Sequence, residues 1–253
     1  MSKKVLIAGC SFSMDTGWVE NINNSAWIGY SNMLKELSKD KLEVDIIAEP
    51  SSGNGKIQQK LIDKLLNNNF NYDLVIVQWS AIARGLFRNT NDLMESDDDT
   101  IQDMSNFIST LYDYTTKSNL EHHYVSDIVH RVENSYYIKS LTDMLGTKLL
   151  LEKKNIPHLM YWGWQQIPED ESNLIIDKLS DMLYDDNFWR FKNHGGMSEY
   201  IVNNIGEDDG IVPKDFHPST KGQELFYNEI IRNKIKHYLN IDLDECNITK
   251  NYE

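Results

Sequence analysis

Apolar residues recur along this chain in two distinct rhythms. Four short runs, Val5–Ala8, Val44–Ala48, Leu74–Val77 and Leu159–Tyr161, are nearly continuous. That pattern suits strands buried on both faces, as in a parallel sheet. Between them the spacing becomes helical. Trp27, Tyr30, Met33, Leu34 and Leu37 mark a helix over Ala26–Leu37, and Ile57, Leu61, Leu65 and Leu66 mark another over Ile57–Leu66. Strand–helix alternation predicts an α/β fold: a doubly wound parallel sheet in a three-layer α/β/α arrangement. Val5–Ala8 is expected at its centre, with the second and third strands on either side and right-handed crossovers.

From Ser80 to about Asn155 the rhythm changes. No strand-like run occurs, Glu95–Asp99 is acidic, and Gln102–Tyr114 and Ser126–Lys153 have helical patterns. This stretch exceeds what one crossover requires. It predicts a helical insertion over residues 80–155, covering one edge of the site, within a single domain spanning 1–253. Asp170–Asp186 is again helical. Near the end, Ser219 or Thr220 can cap a helix, and Thr220-Lys221-Gly222-Gln223 fits a capping box. Leu225, Phe226, Ile230, Ile231 and Ile235 carry that helix onward. Past Asn240 the chain is polar and is expected to fray.

Composition narrows the function classes. The 253 residues are 40% hydrophobic and 25% charged, enough for one α/β domain with a real core. The net charge of −14, with no basic cluster, opposes binding to nucleic acid or anionic lipid. The apolar runs fall short of a membrane span. The run behind Lys3-Lys4 is too short for a signal-peptide core, so the lysines read as a solvated strand entrance. Only two cysteines occur, Cys10 and Cys246. They fit a reducing, cytoplasmic setting better than a structural disulfide.

Candidate chemistry gathers where the strands end. Ser11 follows Gly9 on the turn after the first strand, the edge at which open α/β sheets bind ligands. A hydroxyl nucleophile needs a sharp turn, a base within reach and donors for an oxyanion. His217 is the best-placed base, between Asp215 and Pro218, with a helix start anchoring its loop. Asp215 can orient the imidazole. Asp208 and Asp209 are further partners to consider. Ser51-Ser52-Gly53-Asn54-Gly55 follows the second strand and can bring backbone N–H groups to an oxyanion, or serve as an ordinary turn. Gln78, Trp79 and Ser80 close the third strand, with Arg84 just beyond. Trp79, Trp162 and Trp164 follow strand ends, where they suit either an aromatic rim or core packing. The remaining histidines have no such context, and no His, Cys or carboxylate grouping has metal-ligand spacing. Gly9–Ser13 is neither a dinucleotide fingerprint nor a P-loop, which argues against a nucleotide-binding domain.

Taken together, these segments resemble the SGNH/GDSL hydrolase superfamily. Gly9-Cys10-Ser11-Phe12-Ser13 resembles the first block, Gly-Asp-Ser-Leu-Ser, and Trp27 sits where many members carry a tryptophan. Gly53 resembles the second-block glycine. Asp215-Phe216-His217-Pro218-Ser219 resembles the last block. The resemblance implies a flavodoxin-like sheet, Ser11 as nucleophile, His217 as base, an oxyanion donor at Gly53 and no cofactor. It also implies a small-molecule or glycan ester substrate, with an acyl or acetyl group on a lipid or sugar. Three features depart from the family. Cys10 replaces an aspartate. Val77-Gln78-Trp79-Ser80 stands in place of the third block, Gly-x-Asn-Asp, leaving Asn54 or Gln78 to substitute for its oxyanion asparagine. The usual aspartate position, three residues before the histidine, is Lys214. The Trp79-Ser80…Arg84 variant resembles divergent members seen in viral genomes. The expected activity is a serine esterase working through an acyl-serine intermediate. The alternative is a catalytically impaired binding protein on the same scaffold.

Overall fold

The inner strands form where an apolar run can be buried from both sides. In the computed structural model, which describes residues 2–14, 28–50, 52–80, 137–164, 174–192, 195–212 and 217–248, β1 is Lys3–Ala8, β2 Leu42–Ile46, β3 Leu74–Trp79, β4 His158–Trp162 and β5 Phe188–Trp189. They form one parallel sheet in the order β2-β1-β3-β4-β5. β1 is thus inside the sheet with β2 and β3 on its two sides, as its sequence predicts. Val5 pairs with Val44 on one side and Leu74 on the other, and Ile7 with Ile46 and Ile76. Val5, Leu6, Ile7, Leu74, Val75, Ile76 and Val77 are wholly buried.

The second strand is shifted from its apolar run, and the fifth has no such run. β2 begins and ends two residues earlier than Val44–Ala48, although the Ile47 N–H still donates to the Ile7 carbonyl at 2.9 Å. β2 is an edge strand, so its ladder is fixed by β1 rather than by its own hydrophobicity. β5 spans only two residues and has no detectable sequence period.

Helices cover both faces of the sheet. α1 (Tyr30–Leu37), α5 (Met197–Ile205), α7 (Thr220–Phe226) and α8 (Arg232–Leu239) lie on one side. A short helical turn, α6 (Glu207–Gly210), precedes α7. α2 (Asn54–Asn67), α3 (residues 137–153) and α4 (Leu174–Leu183) lie on the other side. Neighbouring residues of β4 show the two faces. The Tyr161 ring meets Phe226 at 5.1 Å, whereas the Trp162 indole N–H donates to the Tyr184 hydroxyl beside α4. α1 starts at Tyr30, later than the apolar spacing suggests; Ala26 and Trp27 lie outside the described residues. Most of the expected insertion, residues 81–136, also lies outside them, and its last part is α3.

The C-terminal region keeps the expected apolar helix and corrects the expectation of a frayed tail. α7 and α8 are joined by a π-helical turn, Tyr227–Ile231, which brings Tyr227 and Ile231 into the core. The following chain does not fray over its described part, to Ile248. Leu243, Cys246 and Ile248 are buried, and the Asn228 carboxamide bonds both the N–H and the carbonyl of Cys246 at 2.8 and 2.9 Å. Polar composition concealed an apolar residue every few positions. Among the described residues, no helix is long and apolar enough to cross a membrane.

Candidate active site

The site begins where β1 passes β3. A Cβ at position 9 would stand 2.9 Å from Gln78 Oε1 and 3.1 Å from the Gln78 carbonyl, so glycine is needed for this approach. The chain then turns through a short 3₁₀ segment, Ser11–Ser13, closed by the Ser13 N–H on the Cys10 carbonyl at 3.0 Å. The sheet order reverses between β1 and β3, so this turn lies at the topological switch point.

His217 arrives from the opposite end of the chain. Its carbonyl accepts the Val212 N–H at 2.8 Å, and Pro218 bridges Ile211 across a short antiparallel contact. Behind it, Ser219 caps α7, its Oγ accepting the Gly222 N–H at 3.1 Å. His217 Nε2 stands 2.7 Å from Ser11 Oγ. Phe12 packs its ring edge-on to the imidazole at 5.4 Å and against Trp164 at 4.8 Å.

Two buried glutamines fix this meeting. Gln223 donates to the Phe12 carbonyl at 3.3 Å and accepts the Tyr30 N–H at 3.1 Å, while Thr220 Oγ1 accepts the Ile28 N–H. The first turn of α7 is therefore laced to the serine turn and to the start of α1. This corrects the capping-box reading: Ser219 is the cap, and Thr220 and Gln223 bond across to other elements. Gln78 lies beneath the turn. Its Oε1 accepts from the Cys10 N–H at 3.0 Å, the Cys10 thiol at 3.2 Å and the Ser13 hydroxyl at 3.3 Å. The Tyr30 hydroxyl donates to Ser13 Oγ at 2.9 Å, and burial pushes that phenol up to about 12.

Solved structures share this architecture. The esterase EstA from Pseudoalteromonas sp., solved inhibited by monoethylphosphonate, is 12% identical, with a TM-score of 0.54 over 95% of this chain and 100% of that one. The Bacillus subtilis protein YXIM is 11% identical, with a TM-score of 0.51 over 94% of this chain and 57% of its own. AlinE4, described as an SGNH-hydrolase family esterase, is 12% identical, with a TM-score of 0.46 over 95% of this chain and 96% of that one. At this identity the likeness to EstA is one of fold, along nearly the whole of both chains. No family model and no curated protein matches this sequence.

On this fold, the sequence candidates separate. Ser11 and His217 meet. Gly53 ends the loop after β2 and caps α2. That loop runs beside the serine turn, since the Glu49 N–H donates to the Gly9 carbonyl at 3.3 Å. Among the described residues, neither the Ser11 N–H nor the Gly53 N–H is committed to a hydrogen bond. The suggested amide substitutes are otherwise engaged. Asn54 accepts the Ser80 N–H at 2.8 Å and donates to Ser140 Oγ at 3.3 Å, and Gln78 Nε2 donates to the Trp79 carbonyl at 2.6 Å. Ser80 is buried, its N–H bound to Asn54. Trp79 and Trp162 belong to the core rather than a rim; only Trp164 stands beside the site. Asp215 and Arg84 lie outside the described residues. Asp208 is exposed, and the Asp209 carboxylate takes the Lys221 ammonium at 2.7 Å.

Sequence reasoning missed Ser13, Tyr30, Gln223 and Ser52. The Ser52 hydroxyl, one residue before Gly53, is buried and has no hydrogen-bond partner among the described residues. A buried polar group without a partner is uncommon enough to need a reason. No group of three or more His, Cys, Asp or Glu among the described residues is placed to hold a metal ion.

Proposed function

We propose that this chain is a serine ester hydrolase acting on a small-molecule or glycan ester through an acyl-Ser11 intermediate. The observation that carries this reading is the 2.7 Å contact between Ser11 Oγ and His217 Nε2 at the switch point of the five-stranded parallel sheet. His217 takes the hydroxyl proton as Ser11 attacks the ester carbonyl, then returns it to the leaving alcohol. The same histidine activates water for deacylation. The Ser11 and Gly53 N–H groups hold the oxyanion. The Ser52 hydroxyl is the uncommitted donor that stands in for the family's missing asparagine, in place of Asn54 and Gln78. Asp215 orients His217, and Arg84 contacts substrate near the third strand end.

EstA's monoethylphosphonate complex suggests the assay, because phosphonates trap serine nucleophiles. A fluorophosphonate is expected to label the protein, and Ser11→Ala to abolish labelling. Asp215→Asn should slow labelling by about 10⁴-fold if this carboxylate fixes the tautomer. Ser52→Ala should cost about 10²–10³-fold if it is an oxyanion donor. A folded wild-type protein that takes no label would sink this reading. It would favour the binding-protein alternative, which the engagement of both candidate amides supports. Two buried free thiols, Cys10 and Cys246, support a reducing compartment such as the cytoplasm. The viral association rests on the Trp79-Ser80…Arg84 variant alone.

A further inference from the structure

The structure points to Gln78 as the positioning residue of the nucleophile turn, a role we infer from its four hydrogen bonds. Its carboxamide is wholly buried at the end of β3. The Oε1 end accepts two donors from Cys10, immediately before Ser11, and one from Ser13, two residues after it. The Nε2 end donates to the Trp79 carbonyl. A carboxamide has an acceptor end and a donor end, so only one of its two orientations satisfies every partner. The turn cannot rotate Ser11 about its backbone without breaking a bond to Gln78.

The neighbours enforce this. A Cβ at Gly9 would stand 2.9 Å from Gln78 Oε1, and one at Gly163 would stand 2.7 Å from Gln78 Nε2. Glycines on two strand ends thus leave room for this one side chain. Cys10 and Gln78 are also coupled. With Gln78 Oε1 facing it, residue 10 must present a donor, and the thiol does so at 3.2 Å. An aspartate there would set carboxylate oxygens against an amide oxygen.

In its kinetic arm this inference rests on the serine-hydrolase reading; in its structural arm it does not. Gln78→Met keeps the length and removes every hydrogen bond. Gln78→Glu keeps the acceptor end and, while ionised, has no donor for the Trp79 carbonyl. The labelling rate constant per reactive site and the final labelling stoichiometry would be measured with a fluorophosphonate. Gln78→Met is expected to reach full stoichiometry about 10- to 100-fold more slowly, the scale set by small misplacements of reacting atoms. Gln78→Glu should fall between it and the wild type. Reduced stoichiometry at an unchanged rate constant would mean a merely structural role and overturn the inference, as would a wild-type rate in Gln78→Met. Should Gln78→Met fail to fold, Gln78→Glu decides by the same criteria. If the wild type itself takes no label, the hydrolase reading fails, and a crystal structure decides for Gln78. Ser11 Oγ is expected beyond about 3.5 Å from His217 Nε2 in the variant, outside hydrogen-bond reach. Retention of the wild-type contact would overturn the inference.

Discussion

At the residue scale, close backbone approach around the site leaves no room for substitution. A Cβ at Gly196 would lie 2.5 Å from the Trp162 carbonyl and 2.7 Å from the Trp164 nitrogen, both backbone atoms that cannot swing aside. This contact seats the start of α5 on the turn after β4, where the Ser198 N–H donates to the Gly163 carbonyl at 2.9 Å. Gly196→Ala is therefore expected to destabilise the fold by about 1–3 kcal/mol, the usual cost of overpacking. Chemical denaturation would measure it. Because Trp164 leans on Phe12, and Phe12 on His217, the same variant should also label more slowly with a fluorophosphonate. A wild-type midpoint would show that the turn has slack.

At the element scale, α7 delivers the histidine and its first turn fixes the delivery. Gln223→Leu keeps the bulk but leaves the Tyr30 N–H without its acceptor. A buried donor left unpaired costs about 1–3 kcal/mol. The expected result is a lower unfolding midpoint together with slower Ser11 labelling, since Gln223 also holds the Phe12 carbonyl. The segment after α8 makes a separate test. It covers Tyr227, whose hydroxyl donates to the Asp244 carbonyl at 3.2 Å, and Cys246 is 1% exposed beneath it. Ending the chain after Asn240 would uncover this apolar surface and remove both Asn228 bonds. Thermal unfolding of the truncated chain should therefore fall by several degrees, the scale of a loss of 1–2 kcal/mol. An unchanged midpoint would mean that the tail merely rests on the surface.

At the scale of the whole molecule, stability should depend on pH through groups far from the serine. His158 opens β4 and is buried. Desolvation by burial is the leading cause that holds its pKa below the ordinary histidine value, against the opposing pull of the Ile156 carbonyl, Asp185 and Glu152. The unfolded chain therefore binds a proton that the folded chain resists. The stability due to neutral His158 is complete above about pH 6.5 and is lost as pH falls through the folded value. Asp185 behaves similarly at lower pH. Burial opposes its charge, but the Lys148 ammonium and the Asn187 N–H hold its pKa below the ordinary value. Its contribution is complete above about pH 4 and disappears in stronger acid. His158→Gln should flatten the unfolding midpoint as pH falls below about 6.5 and leave the steeper acid limb in place. An identical profile for variant and wild type would exclude His158 as its source.

The sequence alone determined what depends on local pattern. Continuous apolar runs marked β1, β3 and β4, because strands buried on both faces need side chains that tolerate both. The turn after β1 and the anchored loop before α7 singled out Ser11 and His217, because a glycine turn and a proline-serine helix start leave local marks. Tertiary structure alone decided which polar groups meet. Gln78 reaches across 68 residues to Cys10, and Gln223 across 193 to Tyr30. Glutamine at such positions has no period and no neighbour that signals its partner. Burial of Trp79 and Trp162 beneath the site, the two-residue β5 and the packed tail were hidden for the same reason. Hydrophobic periodicity reports that a residue is buried, whereas only the folded chain sets what it is buried against.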